Sequence, residues 1–302
     1  MASLTPWQMK IGRHICKGKK GYVQSFRVAI NDAKKCGIKL SAGQIFVVGP
    51  RDGTGTVEKE DEKDIKKFID ENKISLVVHG AYIDTPFSTK KNGAVSNTSI
   101  GNIKREIKIA KNIGAIGVNI HLSAVDHDRI IDILDKLGET LEKNDIILYL
   151  ETNACLQNTW SFEKTENINK LFKLLDSRSY KQHVGICIDT AHLWACGLDI
   201  STSFQVKPWL KSLDRSVIPN IMFHLNDDRK PRGTGADNHE SIGYGKIWGT
   251  SKSGLISFLD YITKHKLIMI LERNEEAINN DYLIMDTYMT SRTKFEKSGP
   301  PS

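Results

Sequence analysis

The chain has 302 residues, a formal net charge of +7 and a pI near 9.0, with an ordinary share of apolar and charged side chains. That length and composition exclude a disordered or fibrous chain and suit one large α/β domain or two small ones with a substantial core. No run approaches the roughly 18 apolar residues of a membrane span, and the start Met1-Ala-Ser-Leu-Thr-Pro-Trp7 lacks the apolar core of a signal peptide, so a soluble intracellular protein of cytoplasm or nucleus is expected.

Short β-branched runs alternate with amphipathic stretches from end to end. Strands are predicted at 10–15, 45–48, 76–80, 117–121, 146–151, 184–189, 221–225 and 268–272. Helices are predicted between them at 23–36, 58–72, 97–113, 128–141, 165–176 and 254–265, each with apolar residues at three- and four-residue spacing. Strands that are apolar on both faces and joined by helices pair in parallel, and eight such units predict a (β/α)8 TIM barrel, with a doubly wound open sheet as the alternative. Closure is preferred because polar residues recur at C-terminal strand ends from the third strand to the eighth, and only a ring gathers those ends. No linker rich in Pro, Gly or Ser divides the chain, so residues 1–297 are expected to form one domain and 298–302 a flexible tail. The longest irregular stretches, 82–97 and 227–250, each follow a strand end, where a barrel carries its functional loops.

Those strand ends share one chemistry. His79, His121, Glu151, Asp189, His224 and Glu272 each finish an apolar run, and His192, Asp237 and His239 lie close behind. A buried strand that ends in His, Asp or Glu pays a desolvation cost unless the polar end is paired or metal-bound. Imidazole mixed with carboxylate suits zinc ahead of manganese or iron, and the ligands are too numerous for one tetrahedral ion. Two or three ions with a bridging carboxylate serve in-line attack on phosphate esters, and three divalent ions would outweigh the converging carboxylates and leave a mouth that attracts an anion. Taken singly, each residue has a plainer reading: a hydrogen-bonded core histidine, or, for Asp189, a helix N-cap. Their joint placement on one rim carries the argument.

The remaining signals are weaker. The positive charge favours an anionic partner, nucleic acid first, although a merely soluble surface explains it equally well. Five cysteines form no CxxC pair, and their odd number argues against a secreted disulfide framework and for a reducing compartment. His127, His183 and His265 stand beside charged or helical residues and are expected at the surface. His14 ends the first strand and points at the mouth, where it could hold a phosphate or a water or serve structure alone.

At these residues the chain resembles the endonuclease IV family of zinc-dependent AP endonucleases, from the first strand to the eighth. Ile188-Asp-Thr-Ala-His192 and Phe223-His-Leu-Asn-Asp227 resemble its two strongest signatures. Val78-His-Gly-Ala-Tyr82, Ile120-His-Leu122, Tyr149-Leu-Glu151, Asp237-Asn-His239 and Leu271-Glu-Arg273 follow in the family's order. Tyr149-Leu-Glu-Thr and Phe223-His-Leu-Asn-Asp are similar to members encoded by large DNA viruses, which would add the virion to the possible compartments. Ala191 stands where many relatives have Cys, and Glu151-Thr-Asn-Ala differs from the commoner Glu-Asn-Thr-Ala, a change that bears on loop shape but removes no ligand.

The resemblance implies three zinc ions. His79, His121 and Glu151 would hold one; Glu151 would bridge to a second held with Asp189, His224 and Glu272; His192, Asp237 and His239 would take the third. It implies a monomer that hydrolyses the phosphodiester 5′ to an abasic site in double-stranded DNA, leaving a 3′-hydroxyl and a 5′-deoxyribose phosphate, with trimming of 3′ ends a further activity. Glu272 and Glu151 would be the catalytic carboxylates, with Glu272 orienting the attacking water and taking its proton. Arg51, Tyr82 and Ile83 would enter the duplex from the minor groove, although an Arg and a Tyr in exposed loops need no special role. The basic stretch Asp228-Arg-Lys-Pro-Arg232 would bind backbone phosphates or keep its loop solvated. The main rival is a metal-dependent sugar isomerase or epimerase on the same barrel, which would use Glu151, Asp189, His224 and Glu272 but leave the other ligands unexplained. A DNA-binding protein with a dead site is disfavoured, because no family ligand is missing.

Overall fold

The predicted apolar runs become the staves of a closed barrel. The computed structural model describes residues 9–83, 86–88, 95–122, 126–155, 161–273 and 277–290. In chain order the strands are β1 (Lys10–His14), β2 (Ala42–Phe46), β3 (Ser75–His79), β4 (Gly117–His121), β5 (Ile147–Glu151), β6 (Val184–Asp189), β7 (Ile221–His224), the two-residue strands β8 (Asp227–Asp228) and β9 (His239–Glu240), and β10 (Ile268–Leu271). The first seven close in sequence order, all parallel, with β10 between β7 and β1, while β8 and β9 pair antiparallel as a separate hairpin. This is the expected (β/α)8 barrel. The expected tail at 298–302 and parts of the predicted 82–97 loop lie outside the described residues.

Two apolar layers follow from the period-two alternation of each strand. Inside the barrel, Ala42, Val77, Tyr149, Cys187, Met222, Ile268 and Ile270 form the packed floor. Tyr149 fills the widest part, and its neighbours in the adjoining strands, Gly117 and Gly185, leave room for it. A Cβ on either would come within 2.5 Å and 2.6 Å of the ring. The outward-facing residues pack against the helices in a continuous shell that includes Ile45, Val78, Val118, Leu148, Ile186 and Phe223.

Six helices fall where apolar spacing predicts them: α1 (Gly21–Lys35), α2 (Asp61–Asn72), α3 (Asn97–Asn112), α4 (His127–Asn144), α5 (Thr165–Leu174) and α8 (Ser253–His265). Three more were not anticipated. The turn and a half of α6 (Thr190–Ala195) is hidden inside a strand-end motif, α7 (Ser203–Lys211) carries Pro208 in its middle, and α9 (Ile278–Thr290) begins with a polar Asn-Asn-Asp run. Strand β2 also starts three residues before its predicted first residue, Ile45, because Ala42-Gly-Gln44 has no β-branched signature. Among the described residues no helix is long and apolar enough to cross a membrane.

Two of the three histidines expected at the surface are buried. His127 opens α4 and places Nε2 2.8 Å from the Asn167 carbonyl, and His183 is 7% exposed in the 3-10 turn before β6. Charged neighbours in sequence did not reveal that the helix-packing face passes through these positions. His265 is half-buried, its ring centroid 4.5 Å from that of Tyr261.

Candidate metal centre and nucleic-acid interface

The parallel register brings the C-terminal ends of β3 to β7 and β10 to one rim, and the ligand-bearing residues follow directly from it. His79 Nε2 and His121 Nε2 lie 3.2 Å apart, at 3.7 and 3.1 Å from Glu151 Oε2. Glu151 turns its other oxygen, Oε1, to His224 Nδ1 at 3.1 Å. The same Nδ1 is 3.1 Å from Glu272 Oε2 and 3.7 Å from Asp189 Oδ2. A third set lies beyond: His192 Nε2 is 3.3 Å from Asp237 Oδ2, and His239 Nε2 is 2.8 Å from Asp237 Oδ1 and 3.8 Å from Asp189 Oδ2. All the sequence-predicted ligands thus come together.

Asp189 both caps a helix and faces the cluster. Its Oδ1 accepts the His192 N–H and caps α6, while Oδ2 faces the ligand cluster. Glu151, Asp189 and His224 are fully buried. Burial works against ionisation of Glu151, but the imidazoles of His121 and His224 hold its carboxyl well below the usual range. Burial opposes charge on His192, His224 and His239 as well. The carboxylates around them win, and the His239 imidazole is raised to about 9, largely by Asp237 and Asp189. His121, the most weakly compensated, is lowered to about 4 by burial. Such a cluster is stable only with cations in it, whether protons or metal ions.

The hydrogen bonds behind the facing ring nitrogens suit metal binding. A metal-binding histidine usually presents one ring nitrogen to the ion and donates the other N–H to an acceptor. His79 directs Nδ1 to the Gly80 carbonyl (2.9 Å), His192 directs Nδ1 to the Thr152 carbonyl (2.5 Å), and both leave Nε2 facing the cluster. His239 Nε2 is buried with no hydrogen bond, although Asp237 Oδ1 is within reach. These are ligand orientations, and the N/O donor set fits a divalent metal centre. Cys187 lies under Glu151 and His224 within ligand distance of both, as part of the barrel floor, and burial pushes its thiol up.

Several uncharged residues that escaped notice in the sequence aim the carboxylates. Asn119 Nδ2 donates to Glu151 Oε2 (2.6 Å), and Asn226 Nδ2 donates to Asp189 Oδ2 (2.8 Å) while its Oδ1 accepts the Glu272 N–H. Thr152 accepts the Asp189 N–H at Oγ1 as well as the His192 ring proton at its carbonyl, so the Thr-Asn order after Glu151 binds β5 to β6. Asp227 accepts N–H groups of Asp228, Gly243, Gly245 and Ile247 and so folds back the long segment after β7. Arg273 donates to the His239 carbonyl and to Glu240, fixing the hairpin that carries a ligand.

Beside the metal ligands, the loops after β2 and β3 are joined: the Tyr82 N–H donates to the Pro50 carbonyl at 2.9 Å. Arg51, Tyr82 and Ile83 therefore sit together, exposed, on the rim. The Tyr82 ring stands edge-on to His79 and His121, with centroids at 5.3 and 5.1 Å. Arg229 and Arg232 of the basic stretch are paired with Glu240 and Asp199, which leaves less of their charge for phosphates.

Under the Tyr82 loop, Glu106 of α3 accepts the Ala81 N–H, while its Oε2 is buried without a hydrogen bond. Burial pushes its carboxyl up to about 7. The folded state then holds this proton more tightly than the unfolded chain does, so the stability it contributes is fully present below pH 4.5 and is lost as pH rises through 7. Replacing Glu106 with Gln is expected to abolish that loss, a difference of up to about 3 kcal/mol by pH 8 in urea melts. Identical pH profiles for the two proteins would count against it.

One cysteine pair departs from the expected free thiols. Cys155, four residues after Glu151, is bonded to Cys196, four residues after His192, and Cys16, Cys36 and Cys187 are free. Spacing gave no hint, because the two are 41 residues apart and meet only once β5 and β6 pair. For a loop of that size, replacing both with Ser is expected to cost up to about 4 kcal/mol in urea melts under non-reducing conditions. Melts that superimpose would show that the cross-link contributes nothing.

With this geometry in hand, comparisons with known proteins place the chain. Residues 22–282 match the family model described as a xylose isomerase-like TIM barrel. Over 250 residues the chain is 36% identical to a "Probable AP endonuclease" of African swine fever virus, covering 80% of this chain and 81% of that protein. The chain belongs to the endonuclease IV family of AP endonucleases. A "Probable endonuclease 4" of Thermosipho melanesiensis is 30% identical over 257 residues, covering 80% of this chain and 87% of that protein. Among solved structures, "The crystal structure of AsfvAP:AG" superposes with a TM-score of 0.80 at 28% identity, covering 96% of this chain and 98% of that one. Family membership accounts for a site in which every ligand-type residue on the rim is engaged with another.

Proposed function

We propose that residues 1–297 act as one monomeric unit that hydrolyses double-stranded DNA on the 5′ side of an abasic site, leaving a 3′-hydroxyl and a 5′-deoxyribose phosphate. The observation that carries this reading is the set of three ligand groups joined by Glu151 and Asp189, beside a rim bearing Arg51, Tyr82 and Ile83. Zinc is the ion that the mixed imidazole and carboxylate donors favour. His79, His121 and Glu151 would hold one ion; Glu151, Asp189, His224 and Glu272 a second; His192, Asp237 and His239 a third. Bound there, the ions would supply a water acidic enough to attack phosphorus near neutral pH and positive charge for the departing 3′-oxygen.

The chain's own groups do the rest. Glu272 is kept ionised, against burial, by His224 and its other imidazole neighbours, so Oε2 is available to orient the attacking water and accept its proton. Tyr82 and Ile83 present apolar surface beside the ligands, suited to fill the space left by an extruded nucleotide, and Arg51 adds a cation from the neighbouring loop. An abasic nucleotide has no base to unstack, which lowers the cost of extrusion and favours the lesion over intact duplex. The sugar isomerase reading uses Glu151, Asp189, His224 and Glu272. It assigns no task to His79, His121, His192, Asp237 and His239, all of which are drawn into the same cluster.

The test is a duplex with one tetrahydrofuran abasic analogue, which cannot undergo β-elimination. Zinc-loaded protein is expected to cut it on the 5′ side, and exhaustive chelation to stop the cut. A metal-loaded, folded sample that leaves the duplex intact would overturn the reading.

A further inference from the structure

We infer that Gln44 is a positioning residue of the metal centre, selecting the ring nitrogen that His224 presents and pinning one oxygen of Glu272. The inference rests on the metal-dependent reading above. Gln44 lies on β2, between β1 and the His79-bearing β3, and is fully buried inside the rim. Its Nε2 is 2.7 Å from Glu272 Oε1 and 3.2 Å from His14 Nδ1, and its Oε1 is 2.9 Å from His224 Nε2.

The chemistry of the partners fixes which way round the amide sits. An ionised carboxylate only accepts, so the atom of Gln44 facing Glu272 must be its NH2, which leaves the carbonyl oxygen for His224. That oxygen can only accept, so His224 must donate from Nε2. The proton of a neutral His224 ring is thereby placed on Nε2, and the lone pair on Nδ1, the atom directed at Glu151, Asp189 and Glu272. The second NH2 hydrogen faces His14 Nδ1 at 3.2 Å, a ring nitrogen that can accept it. One amide thus ties Glu272 Oε1 down, leaves Oε2 turned toward His224, and fixes the ligand tautomer.

The test reads metal binding and ring nitrogens in addition to activity. In zinc-loaded wild-type protein, long-range 1H–15N spectra are expected to show His224 protonated at Nε2 and zinc-bound through Nδ1. The reverse pattern overturns the inference without any variant. Gln44→Met removes both the donor and the acceptor, and is expected to weaken one zinc equivalent by about 10- to 100-fold in chelator competition. Gln44→Glu keeps an acceptor for His224 but sets a carboxylate against Glu272. It is expected to preserve the His224 pattern and still lose zinc affinity. If both variants fold, by circular dichroism, and bind zinc as wild type does, Gln44 is not a positioning residue. If wild-type protein itself takes up no zinc, the functional reading fails instead.

Discussion

Replacing Glu272 with Gln is expected to lower single-turnover cleavage of abasic duplex by about a thousandfold, within the range for loss of a positioned acid or base, while affinity for that duplex changes only a few-fold. The substitution is close to isosteric, so the packing around β10 should survive. Its effect is on charge and hydrogen bonding. In the wild-type protein Oε1 accepts from Gln44 and Oε2 faces His224 Nδ1 at 3.1 Å. A glutamine can keep its carbonyl on Gln44, but its NH2 then takes the position of Oε2, a donor where the reaction requires an acceptor. Binding should persist because the rim residues Arg51, Tyr82 and Ile83 lie on the loops after β2 and β3 and are unchanged by the substitution.

Metal content must be measured alongside. A variant that binds the lesion and retains its zinc, yet does not cut, places Glu272 in proton transfer. One that loses a zinc equivalent shows that the carboxylate acts first as a ligand. Wild-type turnover removes Glu272 from the mechanism.

The clustered His, Asp and Glu residues are legible in the sequence, and the neutral residues that support them are not, for a physical reason. An apolar run ending in His79, His121 or Glu151 is conspicuous, because a charged or imidazole group at a buried strand end needs an explanation. Gln44, Asn119, Thr152 and Asn226 are uncharged, and a polar neutral residue near a strand looks the same in sequence whether it is aiming a carboxylate or facing water. Gln44 is further hidden because Ala42-Gly-Gln44 has no β-branched signature, so the start of β2 falls before the strand predicted at 45–48. The barrel itself was readable from its repeating pattern. The pairing of Cys155 with Cys196 and the burial of His127 and His183 depend on which elements meet, information that local sequence does not carry.

Exhaustive chelation is expected to destabilise the protein strongly, and more so as pH rises. Each site loaded at a hundred times its Kd contributes about 2.7 kcal/mol to the folded state. Three such sites would amount to about 8 kcal/mol, a fall in Tm of roughly 13 °C for a chain of this size. What remains after metal removal is a cluster in which Glu151 and Asp189 have no exposure to solvent and must be neutralised by imidazolium groups. The folded-state pKa values of His192, His224 and His239 lie above the ordinary value of 6.5, that of His239 at about 9. Their contribution to the metal-free protein is therefore fully present below pH 6.5 and is lost as pH climbs through their raised pKa values, which for His239 means through about 9. Bound zinc would take the place of those protons, so the loaded protein should vary much less over the same interval, and metal binding should release protons. Thermal melts of chelated and zinc-loaded samples from pH 6 to 9 would read the difference directly. A gap between the two that narrows with pH would mean that these imidazoles do not stand in for the missing cations, and that the carboxylates are relieved some other way.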